Sequence, residues 1–254
     1  MRVTILGTGT SGGVPLIGCT CEVCKSTDPR DKRLRTSAMI DTNGKRLVID
    51  AGPDFRYQML RNEVMNIDAL LITHGHRDHI GGLDDIRPFN YLLGKIIDIY
   101  CDEWAEEMIR EQYSYAFTDR SYDYAPKVNF HRIRFEPFLA DGVLVTPIEV
   151  MHYKLPVRGY RVGDFTYITD AKTISNEEKQ KIKGSKVLVV NALRAQDHIA
   201  HYTLEEALAL IDEVKPERAY LTHLSHQFGK HADMEPTLPA NVKIAYDGLV
   251  IDIE

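Results

Sequence analysis

The chain has 254 residues, 44% hydrophobic and 27% charged, with a formal net charge of −6 and a pI near 5.9. That length supports a sizeable core in one large domain, and the acidic balance offers no electrostatic footprint for a long nucleic acid. No apolar stretch approaches the ~18 residues of a membrane span, and the first apolar run is too short for a signal peptide, so the expected partners exclude membranes and the expected location is the cytoplasm.

A strand over 2–6 leads into Gly7-Thr8-Gly9-Thr10-Ser11-Gly12. A dinucleotide site with that glycine pattern needs a helix to open there. Gly13, Val14 and Pro15 follow instead, so the segment reads as a loop bordering a cleft. Next comes Cys19-Thr20-Cys21-Glu22-Val23-Cys24, a C-x-C-x-x-C cluster within a loop spanning 18–25. Cytoplasmic cysteines stay reduced, so the cluster reads as metal-binding before disulfide. Three thiolates fill three corners of a tetrahedral zinc and leave the fourth to come from afar. A redox dithiol is the alternative, and it more often appears as C-x-x-C opening a helix. Lys32, Arg33 and Arg35 read as a solvated turn.

Strands over 37–41 and 46–50 flank Asn43-Gly44, a strong hairpin signal. The apolar run 67–73 reads as a buried strand. It delivers His74-Gly75-His76-Arg77-Asp78-His79, four metal-ligand types in six residues. His74 and His76 lie two apart, so an extended backbone sends both rings to one side. Asp78 and His79 follow where a helix can open, and the group as a whole can feed two adjacent ions.

Helices are expected over 84–93 and 103–112, with a strand over 96–100 that buries Cys101 at its end. The segment 103–135 is a candidate lid or insert. Within it Tyr113, Tyr115, Phe117, Tyr122 and Tyr124, with Arg120, would line substrate or a homodimer surface; the plainer reading is helix and loop packed on the core. Strands follow over 143–150, 160–162 and 165–169, the last two forming a hairpin about Gly163-Asp164. Then come a helix over 176–183, a strand over 186–190 and a helix over 204–214. Thr203 and Glu206 read as that helix's capping box, and Leu204, Leu208, Ile211 and Val214 keep helical spacing. Strands over 218–221, 243–246 and 249–251 close the chain. Hairpins among interleaved strands and helices favour layered sheets under helices over a purely parallel doubly wound fold. His152, Asp170 and His223 each sit just past an apolar strand, where side chains are fixed and loops admit substrate. Any one alone reads as a structural residue; together with the histidine cluster they read as ligands.

In this order of ligands the chain resembles the metallo-β-lactamase superfamily, over nearly its whole length. The Gly7-Thr8-Gly9 loop, the cysteine segment, Leu221–Phe228 and Tyr246-Asp247-Gly248 look most like the PhnP-type phosphodiesterases, which act on cyclic phosphates. The resemblance implies an αββα sandwich over 1–254. It implies that His74, His76 and His152 hold one divalent ion, that Asp78, His79 and His223 hold a second, and that Asp170 bridges them. It also implies His226 as the fourth ligand of a structural zinc with Cys19, Cys21 and Cys24. Asp50 would orient a ligand histidine. His201, with Asp78 at the reacting centre, would be the general acid, suited by an imidazole pKa near operating pH; His198 competes for that role.

Two divalent ions ~3.5–4 Å apart can lower the pKa of a bridging water and offer hydroxide to a phosphoryl group. The donor set suits Zn, Mn or Fe. The implied activity is metal-dependent hydrolysis of a small phosphodiester, cyclic ones included. The rivals are an RNA-processing nuclease of the tRNase Z kind, which needs a basic exosite arm not visible here, and a non-enzymatic PqqB-like carrier, which should have lost ligands that this chain keeps.

Overall fold

The computed structural model describes residues 1–118 and 124–254. Its strands, in chain order, are β1 Arg2–Gly7, β2 Ser37–Thr42, β3 Lys45–Ile49, β4 Ala69–Leu71, β5 Ile97–Cys101, β6 Val128–Arg132, β7 Phe138–Ala140, β8 Val143–His152, β9 Leu155–Val162, β10 Phe165–Ile168, β11 Val187–Asn191, β12 Arg218–Thr222, β13 Val242–Ile244 and β14 Val250–Asp252. The helices are α1 Glu22–Lys25, α2 Phe55–Arg61, α3 Arg77–Ile80, α4 Arg87–Leu93, α5 Glu103–Gln112, α6 Asn176–Ile182, α7 Leu204–Val214 and α8 His231–Met234.

The strands form two sheets, ordered β14-β1-β2-β3-β4-β5-β6 and β13-β12-β11-β10-β9-β8-β7. Each is mixed. The runs β3 to β6 and β10 to β13 are parallel, and hairpins join β2 to β3, β8 to β9 and β9 to β10. The Asn43-Gly44 turn has both residues at positive φ, 51° and 74°, as its sequence requires.

Side-chain alternation builds the layers. Val3, Ile5, Ala38, Ile40, Leu47 and Ile49 point inward, to meet Tyr160, Phe165, Tyr167, Val187 and Val189 of the facing sheet. The alternate residues Met39, Val48 and Leu70 face α2, α4 and α5 through Phe55, Phe89 and Ile109. Leu188, Val190 and Leu221 likewise face α6 and α7. The result is helix, sheet, sheet, helix: the expected αββα sandwich. Thr203 and Glu206 complete the capping box of α7.

Several elements differ from the sequence reading. The helix expected over 84–93 is a 3₁₀ turn, Leu83–Ile86, followed by α4, with Pro88 in its first turn and left-handed Gly94 closing it. β9 starts at Leu155, not 160, although Pro156 lacks an N–H. β10 pairs only with Tyr160–Val162, so no second neighbour asks Pro156 for a donor. Arg33 is no solvated turn residue. It is 4% exposed, and its guanidinium donates to Thr8 Oγ1 and the Ala245 carbonyl. Of the tyrosine-rich segment, Tyr113 is buried, with its hydroxyl donating to the Ile80 carbonyl. Phe117 packs against Phe130. Arg120 and Tyr122 lie outside the described residues. Among the described residues no helix is long and apolar enough to cross a membrane.

Candidate metal centre

The site lies at one end of the sandwich, where the parallel strands terminate. Asp50 follows β3, the His74 loop follows β4, His152 ends β8, Asp170 follows β10 and His223 follows β12. His76 caps α3, and that helix carries Asp78 and His79. Asp50, Asp170 and His223 all take left-handed backbone, φ 62°, 56° and 56°. L-residues pay for that conformation, and it concentrates where geometry is functional.

The rings converge. His74 Nε2 lies 2.9 Å from His76 Nδ1, and the His152 ring centroid is 5.4 Å from that of His76 and 6.0 Å from that of His74. On the other side, His79 Nε2 is 3.4 Å from Asp78 Oδ2 and 3.3 Å from Asp170 Oδ2. Asp170 Oδ2 is also 3.3 Å from His223 Nδ1. Carboxylate oxygens of Asp170 also lie within 4.8 Å of a His74 nitrogen and of a His152 nitrogen, so this side chain, 2% exposed, reaches both groups.

Hydrogen bonds fix which ring nitrogen faces inward. His79 Nδ1 donates to Asp50 Oδ2 at 2.7 Å. Asp50 also accepts from the Thr73 N–H at 2.8 Å and from the Thr73 hydroxyl. With its proton spent on Asp50, that hydroxyl accepts from His74 Nδ1 at 3.0 Å. Thr169 repeats the device in the second sheet: it donates to Asp170 at 2.6 Å and accepts from His223 Nδ1 at 3.2 Å. His152 Nδ1 donates to the Ala200 carbonyl at 2.9 Å. In each of the four rings Nδ1 is engaged by one of these partners, which leaves Nε2 as the nitrogen open to an ion. Sequence reasoning missed Thr73 and Thr169. Their signal is a threonine directly before a ligand at a strand end.

Electrostatics follow from the crowding. Burial works against the charged forms, yet Asp50, Asp170 and Asp78 hold the His79 pKa well above the usual imidazole value. Asp78 and Asp170 stay below the ordinary carboxylate range, despite burial, because of His79 and His223. Burial and neighbouring histidines depress His74. His79 Nε2 is buried without a hydrogen-bond partner among the described residues, facing two carboxylates. An orphaned imidazole nitrogen among carboxylates fits a divalent cation. Donor atoms of His74, His79 and Asp170 lie within 4.8 Å of one another, as do those of His152, Asp170 and His201.

His201 sits beside this set. Its Nδ1 is 3.7 Å from Asp170 Oδ1, and its ring centroid is 4.5 Å from His152, 4.9 Å from His223 and 4.9 Å from His198. Burial and the neighbouring His223 push its pKa down to about 3. His198 is further out and accepts from the Ala200 N–H.

A second cluster forms where the sequence placed it. The sulfurs of Cys19, Cys21 and Cys24 and a nitrogen of His226 lie within 4.8 Å of one another. His226 Nδ1 is 3.4 Å from both Cys19 Sγ and Cys21 Sγ. The His226 contact and the Cys24 N–H pull the Cys21 thiol down to about 6, and burial pushes Cys24 up to about 11. Three sulfurs and one imidazole nitrogen are the donor set of a structural zinc. Cys101 is buried and apart.

A sandwich with this ligand order at its edge is that of the metallo-β-lactamase-type hydrolases, whose fold carries divalent metals. Residues 45–224 match the family model described as the beta-lactamase superfamily domain, and the chain belongs to that family. It is 38% identical over 252 residues to a protein of Porphyromonas gingivalis named octanoyltransferase, covering 98% of this chain and 51% of that one. The chain therefore spans about half the length of that relative. The crystal structure of a diphosphatase from the PhnP family is similar at 38% identity and TM-score 0.93, covering 100% of this chain and 98% of that one. Zn(2+)-bound PqqB from Methylobacterium extorquens shares the fold at 20% identity and TM-score 0.81, over 100% of both chains.

Proposed function

We propose that the chain is a binuclear metal-dependent phosphodiesterase acting on a small, in particular a cyclic, phosphate ester. The observation that carries this reading is the buried Asp170 carboxylate, which lies 3.3 Å from His79 and from His223 and also within 4.8 Å of donor nitrogens of His74 and of His152. His74, His76 and His152 would hold one ion, Asp78, His79 and His223 the other, and Asp170 both. Zinc or manganese suits that donor set, and a third, structural zinc belongs to the cysteines and His226. The ions would lower the pKa of water and offset phosphoryl charge.

The chain's own residues do the rest. Thr73, Thr169, Asp50 and the Ala200 carbonyl hold the ligand rings so that Nε2 faces inward. Attack of water oxygen on phosphorus forms one P–O bond and breaks the bond to the leaving oxygen, which needs a proton. His201, next to Asp170, is placed to deliver it. Burial and the neighbouring His223 favour its neutral imidazole; the negative charge of a bound phosphate favours the protonated form.

A second reading, cleavage of a diphosphate, draws support from the likeness to a PhnP-family diphosphatase at 38% identity. Assay of the metal-loaded protein on bis(p-nitrophenyl) phosphate, on 2′,3′- and 1,2-cyclic phosphates and on diphosphates separates the two. Asp170→Ala tests the centre itself: activity and at least one ion should be lost while the cysteine site stays filled. A variant that keeps every ion and near-normal turnover would remove Asp170 from the centre.

A further inference from the structure

The inward-facing rings of His74, His79, His152 and His223 are each steered by a hydrogen bond through Nδ1. His76 has no such bond among the described residues; its polar contact is with His74, inside the set it belongs to. It is also only half-buried, at the rim. Something else must fix its ring.

The geometry points to α5 as that support, with Trp104 as a positioning residue for His76. β4 and β5 are parallel neighbours, so the His74 loop and the start of α5 leave the same sheet end side by side. Asp102 caps α5 by accepting from the Ala105 N–H. Glu106 then anchors the helix to β6 through Arg132 at 2.7 Å. From this fixed helix Trp104 and Met108, one turn apart, face Gly75. A Cβ on Gly75 would lie 2.7 Å from Met108 Cγ, 2.9 Å from Met108 Cβ and 3.2 Å from Trp104 Cζ3. The glycine between the two histidines is therefore set by the approach of α5. The Trp104 ring meets His76 edge to face, with centroids 5.9 Å apart and planes at 82°. An aromatic edge against an imidazole face restricts ring rotation. Packing does for His76 what Asp50 does for His79.

This inference rests on the reading of His76 as a metal ligand, and its test reads metal affinity, independent of any substrate. Protein stripped of every ion but the cysteine-bound zinc is titrated with zinc, and the binding of the remaining ions is followed by calorimetry. Trp104→Ala should weaken one ion by roughly 10–100-fold, the usual effect of losing a group that orients a ligand. Cysteine-bound zinc should remain, and Trp104→Phe should recover most of the affinity. Trp104→Leu, which fills space without an aromatic edge, should behave like Ala and stands in for it if the smaller residue prevents folding. Unchanged affinity in Trp104→Ala or Trp104→Leu overturns the role of Trp104. Wild-type protein that takes up no ion beyond the cysteine-bound zinc overturns the metal-centre reading and this inference with it.

Discussion

Asp50 Oδ2 and His79 Nδ1 lie 2.7 Å apart, and both side chains are fully buried. The pair links the end of β3 to α3, so the second proposed ion is held by a ring whose orientation is decided one strand away. Asp50→Ala leaves His79 Nδ1 and two Thr73 donors unpaired in the interior. It should cost about 3–5 kcal/mol of stability, the usual penalty for breaking a buried pair from one side. Asp50→Asn keeps the volume and one acceptor; it should fold and bind metal roughly 10–100-fold more weakly. Denaturant midpoints and metal titration check both variants.

The cysteine cluster predicts a tightly held zinc. Cys21→Ser should lose one zinc per chain by elemental analysis and melt at lower temperature, because structural metal binding is linked to folding. Up to two exchangeable ions should stay with the histidine site. Metal content that does not respond to changes at Cys19, Cys21 or Cys24 would sink the assignment.

Proton delivery can be separated from binding. His201→Ala should retain both ions proposed for the catalytic centre and lose roughly 10²–10⁴-fold in kcat on esters with alkoxide-like leaving groups. The loss should be much smaller for p-nitrophenolate, which departs unprotonated. Equal losses would point to substrate positioning, and loss of an ion would make His201 a ligand, as its place beside Asp170 and His152 permits.

Asp28 gives a pH test away from the site. Its side chain bonds Arg30 and caps the short turn Pro29–Asp31, and the Arg30 side chain and N–H hold its pKa at about 2, below the ordinary value of 3.8. The folded state therefore favours the carboxylate. That stability is present above pH 3.8 and is lost as pH falls toward 2. Asp28→Asn should be slightly less stable near neutral pH, and the gap in denaturation midpoint should start to close below about pH 4. A gap that widens with acid would refute the sign.

What was legible in the sequence was whatever local pattern determines. The histidine cluster, the cysteine spacing, the Asn43-Gly44 turn and the capping box of α7 each state their geometry within a few residues. α2 (Phe55–Arg61), β6 and β7 passed unnoticed, being short or carrying mixed polarity that only the neighbouring sheet rationalises. Arg33 was misjudged for the same reason: its burial depends on Thr8 and Ala245, far away in sequence. The candidate ligands could be listed, but what steers each ring, Thr73, Thr169, the Ala200 carbonyl and Trp104, emerged only with tertiary contacts.

The left-handed backbone at Asp170 and His223 sets two selective pressures against each other. Glycine would relax φ at either position by about 1–2 kcal/mol, and every such replacement would erase a proposed ligand. Random mutagenesis scored only by heat resistance of metal-stripped protein should therefore enrich damaged sites. Scoring the same library with metal present should reverse the preference, because bound ions reward the strained conformers.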